Sequence, residues 1–328
     1  MIKFLRLFAF SGLAILMFSA GISRAEIITF GVVGAETQES LASAWGPIFE
    51  AIHQRTGLTV KPVFGKDYKS IVDGMNRGEI KVASFGNRSA MDVIDSGSGE
   101  VFAQWVDDSG KKGYYGHLIS LKSKPWKSVD EVILKGKKIR FAFGDPKSTS
   151  GTLVPQYYLF AQRKLKAENV FASVSQGNHE LNVEAVLEGR VDVATTASQW
   201  LDKLAVADPE KFTRLNIIWT SPSIPQDALI WRKDLPLATK KQLREFFYSF
   251  GKKPDDRRLL VARLGLSGFD PSDDRQLLPV RELELYRKRQ LIEAEPEMPE
   301  KERFFRLMAI DNELSILATQ STRGTEKR

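Results

Sequence analysis

Segment 140–158, RFAFGDPKSTSGTLVPQYY, places Ser148, Thr149, Ser150 and Gly151 directly after an apolar strand and a Gly-Asp-Pro turn. Three consecutive hydroxyls where a helix opens can do one kind of chemistry. The free N–H groups of the first turn, the positive end of the helix dipole and the hydroxyls converge on one place, and a tetrahedral oxyanion needs several bonds from one side. The same residue types are also ordinary helix caps that need no ligand, and spacing alone leaves both readings standing. Further polar residues fall where strands end or helices begin, the ligand edge of open α/β sheets. Tyr68 opens a helix after KPVFGKD, Tyr114 begins a strand, His179 opens a helix in GNHELN, Gln199 follows VDVATTAS, and Asp227 precedes ALIW. Each has a structural alternative as a half-buried tyrosine, a cap or a turn residue.

Serine, His179 and Asp227 are also the residue types of a hydrolytic triad. No Gly-x-Ser-x-Gly elbow accompanies them, so a hydrolase is the weaker reading. No nucleotide P-loop is present, and His53, His117 and His179 lack metal-ligand spacing, so neither metal nor cofactor is implied. His53 reads as a surface residue of an amphipathic helix.

The elements that must position these residues alternate. Apolar runs such as IITFGVVG, LTVKPVF and EIKVASF read as strands, and Leu41, Trp45, Ile48 and Ile52 recur at helical spacing. That is α/β grammar. EVFAQWV and YYGHLISL flank the polar turn DDSGKKG and predict a hairpin; a helix is predicted over 151–164 with Pro155 in its first turn; and everything after the strand DALIWRKDL reads as helical. Phe304, Leu307, Ile310, Leu314 and Leu317 form an apolar stripe. It predicts packing on the parent domain, with a homodimer contact as the alternative.

The length of 328 residues suggests about two domains. Lys3 and Arg6 precede an apolar run that ends before Ser23-Arg24-Ala25, which reads as a signal peptide cleaved after about Ala25 and an exported, periplasmic protein. The formal charge is +7, and the leader holds Lys3, Arg6 and Arg24 without an acid, leaving +4 on the mature chain. The charge forms no basic tract, so nucleic acid is a poor partner. The chain has no cysteine, which excludes disulfides and a lipid-modified N-terminal cysteine.

DYKSIVDGM, FGNRSAMDVID, GDPKSTSGTLVPQYYLFA, NHELN, VDVATT and IPQDALIWRKDL, in that order, resemble the periplasmic phosphonate-binding proteins of ABC importers, within the phosphate, phosphite and phosphonate solute-binding group. The resemblance implies a type II periplasmic binding protein fold, two α/β lobes joined by two crossover strands near 116–121 and 227–231, with C-terminal helices. One lobe would comprise 26–118 and 230–328, the other 119–229. It implies that Ser148, Thr149 and Ser150 grip phosphonate, phosphite or phosphate oxygens, that Tyr68, Tyr114, His179 and Asp227 close the pocket, and that an inner-membrane ABC permease receives the ligand. Presentation of the ligand to a membrane sensor kinase is the alternative role. Relatives that prefer aminoalkylphosphonates carry an acid where this chain has Gln199, which moves the expectation toward methylphosphonate, phosphite or phosphate. Ser84 and Phe85 replace larger or hydroxyl-bearing aromatics.

Overall fold

The structure, a computed structural model, describes residues 27–325, with side chains through 320. The predicted signal peptide 1–25 lies outside the described residues. The expected alternation of strands and helices is present. Strands β1 (Ile27–Val32), β2 (Thr59–Phe64) and β3 (Val82–Phe85) pair in parallel with β1 in the middle, and helices Gln38–Thr56 and Tyr68–Asn76 supply the crossovers that parallel pairing requires. The chain continues through β4 (Gly99–Asp107), β5 (Gly113–Tyr114), β6 (Gly116–Leu121), β7 (Arg140–Phe143), β8 (Ser173–Gln176), β9 (Val193–Ala197), β10 (Leu215–Thr220), β11 (Ile224–Pro225), β12 (Ala228–Arg232) and β13 (Leu266–Pro271). These form a six-stranded sheet ordered β13-β4-β12-β3-β1-β2, a five-stranded sheet ordered β10-β6-β9-β7-β8, and a two-stranded ribbon of β11 and β5. Each large sheet is the centre of one lobe.

The central strands are buried along their length, as a sheet covered on both faces demands, and successive side chains join clusters on opposite faces. Phe30 and Val82 join one apolar cluster under helix Gln38–Thr56, whereas Ala83 and Phe85 join another on the opposite face. Phe141 and Ala142 divide between two clusters in the same way in the five-stranded lobe.

Four expectations change. The predicted hairpin does not form, because β4 pairs with β12 and β13 while β6 pairs with β9 and β10. The polar DDSGKKG stretch instead leads out of one lobe. The crossovers expected at 116–121 and 227–231 are displaced, since β6 lies wholly in one sheet and β12 in the other; the chain crosses just before each, where Ile224 faces Tyr114 and Pro225 faces Gly113. The residues after β12 are not all helical. Gly265, at φ 67°, ends helix Pro254–Leu264, and β13 follows as an edge strand that buries Leu266 and Phe269, an edge being where Pro271 is tolerated. Phe304 leaves the stripe at 61% exposed, while Ile310 and Leu317 pack with Leu285 of helix Leu278–Glu293. Leu314 joins the same cluster, so this part of the stripe packs on the chain's own preceding helix.

Candidate functional site

The helical segment that starts at Thr149 begins two residues earlier than predicted, so Pro155 sits in its second turn. A proline there cannot donate to the carbonyl four residues back, and that carbonyl belongs to Gly151. It is satisfied from outside the helix, accepting from Gly144 N at 2.8 Å and Thr195 Oγ1 at 2.6 Å. The ladder consequently widens into π-type turns over Thr149–Leu153 and Gln156–Phe160, a geometry common at functional sites. Ser148 caps the segment by accepting from Gly151 N at 3.0 Å. This anchoring needs two backbones in contact: a Cβ on Gly151 would lie 2.8 Å from Gly144 Cα and 3.1 Å from His179 Cε1. Gly151→Ala is expected to lower the unfolding free energy by about 1–3 kcal/mol, the usual cost of overpacking, read from the midpoint of urea denaturation.

Four other helices begin at the same level: Tyr68–Asn76, Asn87–Asp95, His179–Leu187 and Ser198–Ala207. Gly86 and Ala197 cap two of them without a side-chain hydrogen bond, leaving first-turn N–H groups for other acceptors. The side chains singled out in the sequence gather between these ends. His179 Nε2 lies 3.5 Å from both Ser148 Oγ and Ser150 Oγ, and Arg88 N donates to Thr149 Oγ1 at 2.8 Å. The Tyr68 phenol stands beside Ser148, and Tyr114, on the ribbon between the lobes, stands beside Ser150 and Thr149. Over Gly86, an added Cβ would meet Thr149 Oγ1 at 3.5 Å, Tyr68 Cε1 at 3.7 Å and Asp227 Oδ1 at 3.9 Å, which locates the point where three chain segments converge. Gln199 borders the same cavity and donates to Gln226, the neighbour of Asp227, at 2.7 Å. All eight predicted residues are thus brought together. Ser84 borders the cavity as well, whereas Phe85 is fully buried in an apolar cluster.

The lobes meet around this place. Thr37 N donates to Glu180 Oε2 at 2.7 Å, His179 N to Ala35 O at 3.0 Å and Tyr68 N to Asp145 Oδ2 at 3.2 Å, while Lys203 pairs with Glu36 and Lys147 with Asp92. Sequence reasoning missed Gly86, the Arg88 N–H, Trp105, Trp200 and the Glu36–Lys203 pair. Only Gly86 carried a local signal, as a glycine between a strand and a helix.

The enclosure fixes the charges. Asp227 is half-buried by exposed area because it borders the cavity, yet its Oδ1 is fully covered and unpaired, and burial pushes the carboxyl up to about 7. Burial pulls His179 down to about 4, so the imidazole is neutral at physiological pH. Burial, aided by the charge of Asp227, holds Tyr68 and Tyr114 above their ordinary values as neutral O–H donors. A hydrolytic triad is not assembled. His179 Nδ1 has no hydrogen-bond partner, so no carboxylate orients the ring, and both serine contacts are long.

Two α/β lobes, two crossings and an enclosed set of neutral donors between helix N-termini define a type II periplasmic binding protein, a receptor that closes on a small solute. The chain belongs, more narrowly, to the periplasmic substrate-binding proteins of phosphonate ABC transporters: residues 30–277 match the family described as "ABC transporter, phosphonate, periplasmic substrate-binding protein". It is 38% identical over 290 residues to the phosphonates-binding periplasmic protein of Escherichia coli, covering 88% of this chain and 85% of that one. The crystal structure of a binding protein component of an ABC phosphonate transporter from Pseudomonas aeruginosa superposes with a TM-score of 0.89 at 37% identity, covering 92% of this chain and all of the other. A Prochlorococcus marinus protein in complex with methylphosphonate shares the fold, with a TM-score of 0.70 at 19% identity over 79% of this chain and 97% of that one. Proteins of this family work in the periplasm as the substrate-binding part of a transporter.

Proposed function

We propose that this protein captures a small phosphorus oxyanion, a phosphonate first and phosphite or phosphate beside it, and hands it to an inner-membrane ABC permease. Ser148, Thr149 and Ser150 grip the oxygens together with the free N–H groups above Gly86 and Ala197, and Tyr68, Tyr114, His179 and Asp227 close around them. One observation carries the reading: hydroxyls and helix N-termini, neutral donors, converge on a buried point where the unpaired acid, Asp227, has its carboxyl raised to about 7. Such donors stabilise an anion without fixed positive charge, so the ligand is released when the lobes part. The moving bodies are 26–118 with 230–328 and 119–229, their boundaries shifted to the β5–β11 ribbon. The outward row Phe304, Phe305, Met308 and Ile316 supports a homodimer through the C-terminal helices. The signal peptide is removed after about Ala25.

The test is thermal unfolding of refolded, ligand-stripped protein at pH 7.5 against phosphate, phosphite, methylphosphonate, aminoethylphosphonate and sulfate. A ligand at a hundred times its Kd adds about 2.7 kcal/mol, which appears as a raised midpoint. A phosphorus anion is expected to raise the midpoint by several degrees and sulfate to raise it less; five flat curves would sink the proposal.

A further inference from the structure

The cavity bordered by His179 and Asp227 extends past them to residues that take no part in the grip on phosphorus. About 50 Å³ of it is open to a water-sized molecule. At roughly 10–15 Å³ per water on that measure, it holds on the order of four non-hydrogen atoms. One wall is apolar, made by Leu41, Ala44, Trp45 and Leu264. Two tryptophans from opposite lobes complete it, Trp105 on β4 and Trp200 on helix Ser198–Ala207, and the indole N–H of each is buried with no acceptor. A buried donor without an acceptor is costly and rare in native proteins. Two of them, one per lobe, bordering the same cavity, mark a place that an acceptor would satisfy once the lobes close.

Past Asp227, which borders the cavity at its phosphorus end, the charges disfavour the opposite chemistry. Glu36 lines the cavity but is paired with Lys203 at 2.5 Å, so it offers no free negative charge, and Lys203 Nζ stands 5.9 Å from the centre of the Trp200 ring. Gln199, tied to Gln226, adds no charge. An ammonium entering here would meet a cation and two N–H donors, whereas a carbonyl or carboxylate would meet three favourable partners.

We infer that this cavity is a substituent subsite, and that the preferred ligand is a phosphonate with a short organic arm ending in a hydrogen-bond acceptor, a carbonyl or carboxylate, read by the indole N–H groups of Trp105 and Trp200. The inference rests on the phosphonate reading above and assigns the class of phosphonate within it.

The experiment is isothermal titration of the wild-type protein and of Trp105→Phe and Trp200→Phe with methylphosphonate, aminoethylphosphonate and phosphonoacetate at pH 7.5. Phenylalanine keeps an aromatic wall and removes the N–H along with part of the indole's volume, and the methylphosphonate Kd measured in the same variant controls for the lost volume. Wild-type protein is expected to bind phosphonoacetate at least tenfold more tightly than aminoethylphosphonate. In each variant the ratio of Kd for phosphonoacetate to Kd for methylphosphonate is expected to rise at least fivefold. Equal ratios in wild type and both variants, or tighter binding of aminoethylphosphonate by wild type, would overturn the inference while leaving the phosphonate reading intact. Failure of all three ligands to bind wild-type protein would overturn both. Should one variant not fold, the other, from the opposite lobe, decides the matter together with the wild-type ranking.

Discussion

Asp227→Asn is expected to admit sulfate, with affinity at pH 8 rising at least about tenfold over wild type, as titration calorimetry at pH 6 and pH 8 would read. In the proposed site Asp227 is the acid that faces the anion, and burial, which disfavours its charge, pushes its carboxyl up to about 7. A phosphonate near neutrality keeps a P–OH that donates a hydrogen bond to the Asp227 carboxylate, so binding proceeds with the carboxyl ionised. Sulfate has no proton to bring. It binds wild type only when Asp227 is protonated, so its affinity falls about tenfold for each pH unit above 7. Asparagine keeps a donor and an acceptor in the same place and removes the titration, so that slope disappears.

The same substitution changes the stability of the ligand-free protein. The folded pKa of Asp227 lies above its ordinary value of 3.8, so the native state holds more protons than the unfolded chain between about pH 4 and 7, and this group makes stability fall as pH rises through that window. His179 acts in the opposite sense. Its folded value, about 4, lies below the ordinary 6.5, so stability from this group is present above pH 6.5 and is lost as pH falls toward 4. In wild type the two largely offset one another. Asp227→Asn leaves His179 alone, and its thermal midpoint should climb from pH 4 to 6.5 and, at neutrality, exceed that of wild type by the equivalent of a few kcal/mol. An unchanged pH profile would place the charge of residue 227 outside the enclosure.

Thr149→Ala carries the second large effect, a weakening of every phosphorus ligand by roughly five- to a hundredfold, because a buried group left unsatisfied costs about 1–3 kcal/mol and each 1.4 kcal/mol is tenfold. The Thr149 hydroxyl accepts from Arg88 N of the other lobe, which leaves its own proton free for a ligand oxygen. Loss of the hydroxyl therefore removes a ligand donor and strands an N–H across the lobe interface. Thr149→Ser should restore binding to within a few-fold of wild type, since the hydroxyl returns without the methyl. Equal weakening by Ala and Ser would assign the effect to packing and remove Thr149 from the grip.

Local chemistry made much of the site legible, and distance in sequence hid the rest. Ser148, Thr149, Ser150, Tyr68 and His179 each open a helix, and a cap is recognisable within four residues, so their position at one sheet edge followed from the strand-helix rhythm. Gln199 and Asp227 followed in the same way from the ends of strands. Trp105 and Trp200 had no such signature. One sits in the middle of a strand and the other inside a helix, and only the approach of two lobes brings the two side chains to the border of one cavity. The missed strand β13 has a similar cause: LSGFDP, with a glycine and a terminal proline, has low strand propensity, and it forms because β4 offers an open edge. The hairpin expected between β4 and β6 failed because a polar turn states that the chain reverses but not into which sheet it returns. Pro155 was legible as a residue without a donor. Its effect was not, because the partners of Gly151 come from a strand end and from Thr195.

The order of the strands also sets the order in which the molecule can be completed. The five-stranded lobe is one uninterrupted stretch whose ends are tied together, Gly116 N donating to Ser221 Oγ and Ser221 N to Gly116 O, each at 2.9 Å. The six-stranded lobe is not continuous: β12 lies between β3 and β4, so β4 has no neighbour in its sheet until Ala228 is available, and β13 comes later still. A chain emerging from its amino end therefore finishes the later lobe first. Until then β3 has one open edge and β4 has two, a template for pairing with other chains. The long-range pairing of β12 with both β3 and β4 is the step that joins the two parts of the first lobe into one sheet.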